Sequence, residues 1–406
     1  MIQGMIGRVP AGDGHPVRLM GVINLSRESF YRGSVAGEDE ALSLARAMEE
    51  EGADLIDIGA VSTAPGSPQV SEDLERKRLL PALKEILGGV EIDISVDTQR
   101  ASIASEALSL GASCINDVSG LLDPGMAGTV AEHDASLIIM ATRRRPGDLL
   151  ALDQIVPLLG ERLGLALAEG VSLQKVSVDP GIGRWVPEKT PEHDLAILDG
   201  FRRLRVLGRP VVAALSRKSF IGATLGLPDP YDRLGGTLAA TAIAVYLGAH
   251  IVRAHDVAAS RDIIRMAQAI RGRPAASSRA GIEVEVMEHL GAGGDLIEAF
   301  RRIGVDGPAM SRLCSKGSFR ILALQGLSSM EALIIKQEML ARGGDAAIPK
   351  LALRCDPQPE EVLIMGSLSQ ISGLINNLKG QPFRLSQVAE AIDEALMQLG
   401  SPERYR

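Results

Sequence analysis

Cysteine is scarce in this chain of 406 residues. There are three, Cys114, Cys314 and Cys355, far apart and without metal-ligand spacing. That excludes a disulfide framework and reads as reduced core thiols of a cytoplasmic protein. No apolar run approaches the roughly 18 residues of a membrane span, so no contact with a membrane is expected. The first segment, residues 1–17, is punctuated by Gly4, Gly7, Pro10, Gly12, Gly14 and Pro16 and has no apolar signal-peptide core. Basic charge is not in excess either. Lys and Arg number 43 against 51 Asp and Glu, and the net charge of −8 argues against nucleic acid as the main partner.

What is present is enough apolar surface for a large core, 46% hydrophobic residues against 23% charged, which excludes general disorder. From residue 19 short apolar runs alternate with longer amphipathic stretches. Strands are expected at 19–23, 55–58, 93–96, 114–116, 137–140, 176–178, 211–215 and 251–253. Helices are expected near 39–51, 72–88, 100–110, 125–133, 152–170, 192–207, 232–248 and 259–271. Gly52, Gly111, Gly170, Gly208 and Gly248 stand where helix C-caps fall, and Asp194 suits the positive end of a helix dipole. Eight βα units within residues 18–272 predict an α/β fold, a parallel (β/α)8 TIM barrel, with an open doubly wound sheet as the alternative. Residues 273–283 are small and polar and read as a linker. Residues 284–406 lose the rhythm and read as a small α+β domain without a catalytic constellation.

In such a barrel the C-terminal ends of the strands face the active site. The residues there are Asn24, the Ser62–Gly66 run with Thr63, Asp97, Asn116, Met140, Asp179, then Lys218 and Ser219 in a Ser-Arg-Lys-Ser run, then Arg253 and His255. Each alone suits a turn or a cap, but polar groups at nearly every strand end are more than capping requires. Asp97, Asn116 and Asp179 suit a nitrogen-rich ring whose N–H groups pair with carboxylates. Asn24, Thr63, Arg253 and His255 suit a diphosphate.

Val22-Ile23-Asn24, Ser95-Val96-Asp97-Thr98, Ile115-Asn116-Asp117, Asp179-Pro180-Gly181-Ile182-Gly183, Ser216-Arg217-Lys218-Ser219 and Arg253-Ala254-His255-Asp256, with the Ser62–Gly66 run, follow the order and spacing of the dihydropteroate synthase family, which this chain resembles over about residues 18–272. The resemblance implies a transferase that joins a 6-hydroxymethyl-7,8-dihydropterin diphosphate to an aromatic amine of the p-aminobenzoate class and releases pyrophosphate. It implies that Asp97, Asn116, Asp179 and Lys218 hold the pterin, that Asn24 ligates Mg²⁺, and that Thr63, Arg253 and His255 surround the pyrophosphate. Ser219 would meet the carboxylate of the amine, and Asn24, Lys218, Arg253 and His255 would carry the catalysis. A homodimer through the last barrel helices is also implied. The chain departs from the family pattern at Ala64, where the second loop usually has an arginine, and after Gly183, where Arg184-Trp185-Val186 replace an aromatic and Gly-Lys. In these loops it looks closest to archaeal synthase-like proteins. That keeps open a ribosylated, phosphorylated aminobenzene as acceptor, as in tetrahydromethanopterin synthesis, with Arg143, Arg144 and Arg145 as candidates for its phosphate. A pterin-binding methyltransferase or a non-catalytic pterin-binding protein is the remaining alternative.

Overall fold

Strands of a parallel sheet are buried on both faces and therefore read as unbroken apolar runs. All eight such runs are strands in the computed structural model, which describes residues 1–26, 38–61, 70–273, 276–279, 282–285, 287, 293–305, 307–350, 352 and 360–397. A hairpin comes first, β1 (Gln3–Ile6) against β2 (Val9–Gly12). The barrel strands follow as β3 (Arg18–Asn24), β4 (Leu55–Gly59), β5 (Asp93–Asp97), β6 (Cys114–Asp117), β7 (Ser136–Met140), β8 (Val176–Asp179), β9 (Val212–Ala213) and β10 (Ile251–Ala254). They pair in parallel in chain order from β3 to β8, and β10 lies between β9 and β3. A parallel bridge from Val178 to Val211 closes the ring. The fold is the expected barrel.

Helices α1 (Glu38–Glu51), α2 (Glu72–Leu87), α3 (Ala101–Leu110), α4 (Met126–Glu132), α5 (Leu152–Ala168), α6 (Pro191–Asp199), α7 (Ser219–Leu225), α8 (Leu234–Tyr246) and α9 (Val257–Arg271) connect them. Gly52, Gly111, Gly170, Gly208 and Gly248 all have positive φ, the backbone a helix stop requires. The helix expected over 192–207 ends at Asp199, and a 3₁₀ stretch, Phe201–Leu207, continues beyond Gly200. Helix α7 has no counterpart among the expected helices. Among the described residues no helix is long and apolar enough to cross a membrane.

The side-chain period of two decides what the barrel interior contains. Met20, Leu55, Cys114, Ile138, Val212 and Ile251 form one buried apolar layer with Ile6 and Ala11 of the hairpin. The hairpin thus seals the end of the barrel where the strands begin. The Gly7 N–H donates to Ser136 Oγ at 2.9 Å, and Arg8 pairs with Asp93 at 2.8 Å. Asp13, just after β2, takes both Arg205 nitrogens at 2.6 and 3.0 Å and the Ile2 N–H at 2.7 Å. Two residues further along the six strands that supply the apolar layer stand Val22, Asp57, Asn116, Met140, Ala214 and Arg253. All but Asp57 line a cavity at the other end. One slip of register would turn this set outward.

The chain divides into two compact units, Met1–Met287 and Glu288–Arg404. Within the stretch read as a linker, β11 (Ala276–Arg279) pairs antiparallel with β12 (Ile282–Glu285), so that segment carries a hairpin. The second unit is α+β. Its sheet has the order β13 (Phe319–Leu327), β15 (Glu360–Ser367), β14 (Asp345–Ala347), all antiparallel. Helices α12 (Ser329–Ala341), α13 (Leu368–Leu378) and α14 (Leu385–Met397) complete its core, in which Ile335, Met339, Val362, Ile364, Leu374 and Ile392 are buried. Ser328 and Ser367 each form a capping box with the residue three further on, Glu331 and Gln370. Helices α10 (Gly293–Arg302) and α11 (Gly307–Gly317) precede this sheet, and the second was not expected from the sequence.

Candidate active site

The cavity has a volume of about 560 Å³. It brings together Asn24, Asp97, Asn116, Asp179, Lys218, Ser219, Arg253 and His255, eight of the nine residues selected from the sequence. The ninth, Thr63, lies outside the described residues, as does Ala64.

Asp57 was not anticipated, although a charged residue inside the apolar run Leu55-Ile56-Asp57-Ile58 was the signal to look for. It is fully buried, and one oxygen accepts from Arg253 Nε at 2.7 Å and from Asn116 Nδ2 at 2.9 Å. Arg253 also donates from Nη2 to Asp97 at 3.0 Å. Four strands are thereby joined at one point, and the Asn116 amide nitrogen is turned away from a ring donor, leaving its oxygen to accept one. Burial pushes the Asp97 carboxyl up, with the Asp57 charge adding to it and Arg253 opposing. Burial likewise raises Asp179, against the pull of Lys218 and the Gly181 N–H, which donates to it at 2.7 Å. Both carboxyls sit where the solvation of a charge has been exchanged for a few directed donors.

The two adjacent cations of Ser-Arg-Lys-Ser separate. Arg217 adopts a left-handed φ of 56° and turns to a bidentate pair with Asp256 at 2.8 and 2.7 Å, with further bonds to the carbonyls of Pro230 and Tyr231. It braces the loop and does not line the cavity. Lys218 does, bonded to the Ile182 carbonyl, with its ammonium 4.6 Å from the centre of the Trp185 ring. A side chain on Gly183 (φ 132°) would place its Cβ 3.0 Å from that ring and 3.2 Å from Lys218, so only glycine allows this approach. Burial lowers Lys218 to about 8. His255 Nδ1 meets Ser216 Oγ at 2.9 Å; burial and the cations Arg253, Arg217 and Lys218 lower the imidazole to about 3, so it is neutral near pH 7.

Two further cations were missed. Arg233 lines the cavity and donates to the carbonyls of Leu227, Pro228 and Arg217. Lys189 is fully buried beneath the turn 179–183 and pairs there with Asp194, which stands in the first turn of α6 as expected and also accepts from the Gly183 N–H. The loop after Gly183 therefore does supply an aromatic residue and a lysine, Trp185 and Lys189. Arg184 stands at the rim and lines the cavity, whereas Arg143, Arg144 and Arg145 are exposed and do not. Their backbone N–H groups bond to Asp148, and the run is a turn on the surface.

A parallel barrel with paired carboxylates, an amide and a desolvated lysine at the strand ends is a site for a flat, nitrogen-rich ring with an anionic arm. A family profile described as "Pterin binding enzyme" matches residues 20–255. The chain is 41% identical over 254 residues to dihydropteroate synthase of Bacillus subtilis, covering 62% of this chain and 86% of the relative. The solved dihydropteroate synthase of Coxiella burnetii in complex with pteroic acid is 34% identical, with a TM-score of 0.57, over 63% of this chain and 94% of that one. A protein of Mycobacterium tuberculosis named inactive dihydropteroate synthase 2 is also similar, 36% identical over 68% of this chain and 90% of its own length. The chain belongs to the dihydropteroate synthase family of pterin-binding enzymes.

Proposed function

We propose that this protein joins a 6-hydroxymethyl-7,8-dihydropterin diphosphate to an aromatic amine of the p-aminobenzoate class and releases pyrophosphate, a transferase reaction of folate synthesis. The observation that carries this reading is the meeting of Asp97, Asn116, Asp179 and Lys218 in one cavity with Arg253 and His255. The carboxylates and the Asn116 oxygen accept from the ring N–H groups, and Lys218 donates to a ring acceptor. The amine nitrogen attacks the exocyclic methylene. The new C–N bond forms as the C–O bond to the diphosphate breaks, pyrophosphate leaves with the electron pair, and the amine gives up a proton. Arg253 and a neutral His255 donate to the leaving oxygens, where negative charge grows. Ser219 meets the carboxylate of the amine. No side chain is needed as a covalent nucleophile.

Asn24 lines the cavity and offers an amide oxygen, a donor that suits Mg²⁺, which commonly takes few protein ligands and completes its shell from phosphates and water. Bound there, the ion would neutralise charge on the diphosphate. The two copies of a homodimer would meet on α8 and α9, where Ile243, Tyr246, Met266 and Ile270 are exposed.

A second reading is pterin binding without turnover. It is favoured by Ala64 and by the similarity to the relative named inactive. Titration calorimetry with the pterin diphosphate, followed by assay of the condensation product with p-aminobenzoate, separates the readings. Binding and product support the transferase, binding alone the second reading, and absence of binding rejects both.

A further inference from the structure

The pterin-facing carboxylate belongs to Asp179, the last residue of β8, and the turn Pro180-Gly181-Ile182-Gly183 that follows it lies outside any helix or strand. Gly181 and Gly183 both have positive φ, at 70° and 132°. Charged side chains hold it instead. Lys189 Nζ donates to the Gly181 carbonyl at 2.6 Å, and Lys218 Nζ donates to the Ile182 carbonyl. The Gly183 N–H donates to Asp194 at 2.9 Å, and Lys189 lies 3.4 Å from the same Asp194 oxygen. On the cavity side, Asp179 takes the Gly181 N–H at 2.7 Å. Gly181 is therefore gripped by a cavity carboxylate through its N–H and by a buried lysine through its carbonyl.

Lys189 and Asp194 are buried, and neither lines the cavity. Burying an ion pair is costly, and the second Asp194 oxygen has no partner among the described residues. A pair kept only for stability would be served as well by apolar packing. We propose that Lys189 and Asp194 are positioning residues for the pterin site: they fix the turn so that Asp179 and Lys218 face the ring together. The proposal rests on the pterin-binding reading above.

The test uses the full chain. Lys189→Met alone strands a buried carboxylate and risks unfolding. The variant to compare is therefore Lys189→Met combined with Asp194→Asn, which removes both charges and keeps an acceptor for the Gly183 N–H. Asp194→Asn alone is the second variant. The pterin diphosphate is titrated into each folded protein, and KM for p-aminobenzoate is measured at saturating pterin. Positioning predicts about tenfold or greater loss of pterin affinity, the scale of one charge-assisted hydrogen bond, with KM for the amine little changed and circular dichroism native. A lower melting temperature with wild-type pterin affinity in both variants would overturn the proposal and leave the pair a structural one. Wild-type protein that binds no pterin would overturn the function itself, and the proposal with it.

Discussion

Asp57 meets Arg253 and Asn116 with one oxygen, and among the described residues the other carboxylate bonded to either partner is Asp97, on Arg253. Asp57→Asn keeps the shape but presents an amide to a guanidinium. We expect pterin affinity to fall by about tenfold or more, the scale of one hydrogen bond to a charged group, with the fold retained. Calorimetry beside a melting curve checks it. Protonation gives a second expectation at this scale. Above about pH 8 Lys218 loses its proton and its attraction for ring and diphosphate; on the acid side Asp97 and Asp179 take up protons above the ordinary carboxylate range. The kcat/KM profile for the pterin should therefore be a bell with its alkaline limb near 8 and its acid limb shifted upward. His255, held neutral, should add no limb near 6.5. A flat profile from pH 5 to 9 would contradict these assignments. Residues at strand ends were legible because position and chemistry coincide there. Asp57, Lys189 and Arg233 were not, since their roles depend on partners that are distant in sequence or lie in irregular loops.

At the scale of elements, the eight barrel strands could be read because each is an apolar run that ends in polar residues. The β1–β2 hairpin was hidden. Its strands are four residues long and rich in glycine, and their apolar side chains acquire meaning only against the floor of the barrel. Helix α7 was hidden because its seven residues directly follow the loop that carries Lys218. The hairpin also makes a prediction. Asp13 is buried against Arg205 and bonded to the Ile2 N–H and to His250; burial alone would raise its carboxyl, but His250 and Arg205 outweigh it and hold the group well below the usual range. Such a group stabilises the fold fully above its unfolded pKa near 4 and loses that contribution as pH falls below it. Asp13→Ala should destabilise the barrel by about 3–5 kcal/mol in urea unfolding at pH 7, by leaving Arg205 without its carboxylate, and should leave the pterin affinity of folded protein unchanged. The difference from wild type should narrow at pH 3.

At the scale of the molecule, every cavity residue precedes residue 256, and the second unit has a core of its own. A fragment ending at Met287 should fold and bind pterin with the affinity of the full chain, and a fragment from Glu288 should fold separately; size-exclusion chromatography and calorimetry test both. The measurement that tests the central claim most directly is pyrophosphate release from 6-hydroxymethyl-7,8-dihydropterin diphosphate, with and without p-aminobenzoate. The account predicts release that depends on the amine and falls by about a hundredfold in Arg253→Ala, which removes a donor from the leaving group. Tight pterin binding with no release in the presence of p-aminobenzoate would contradict it.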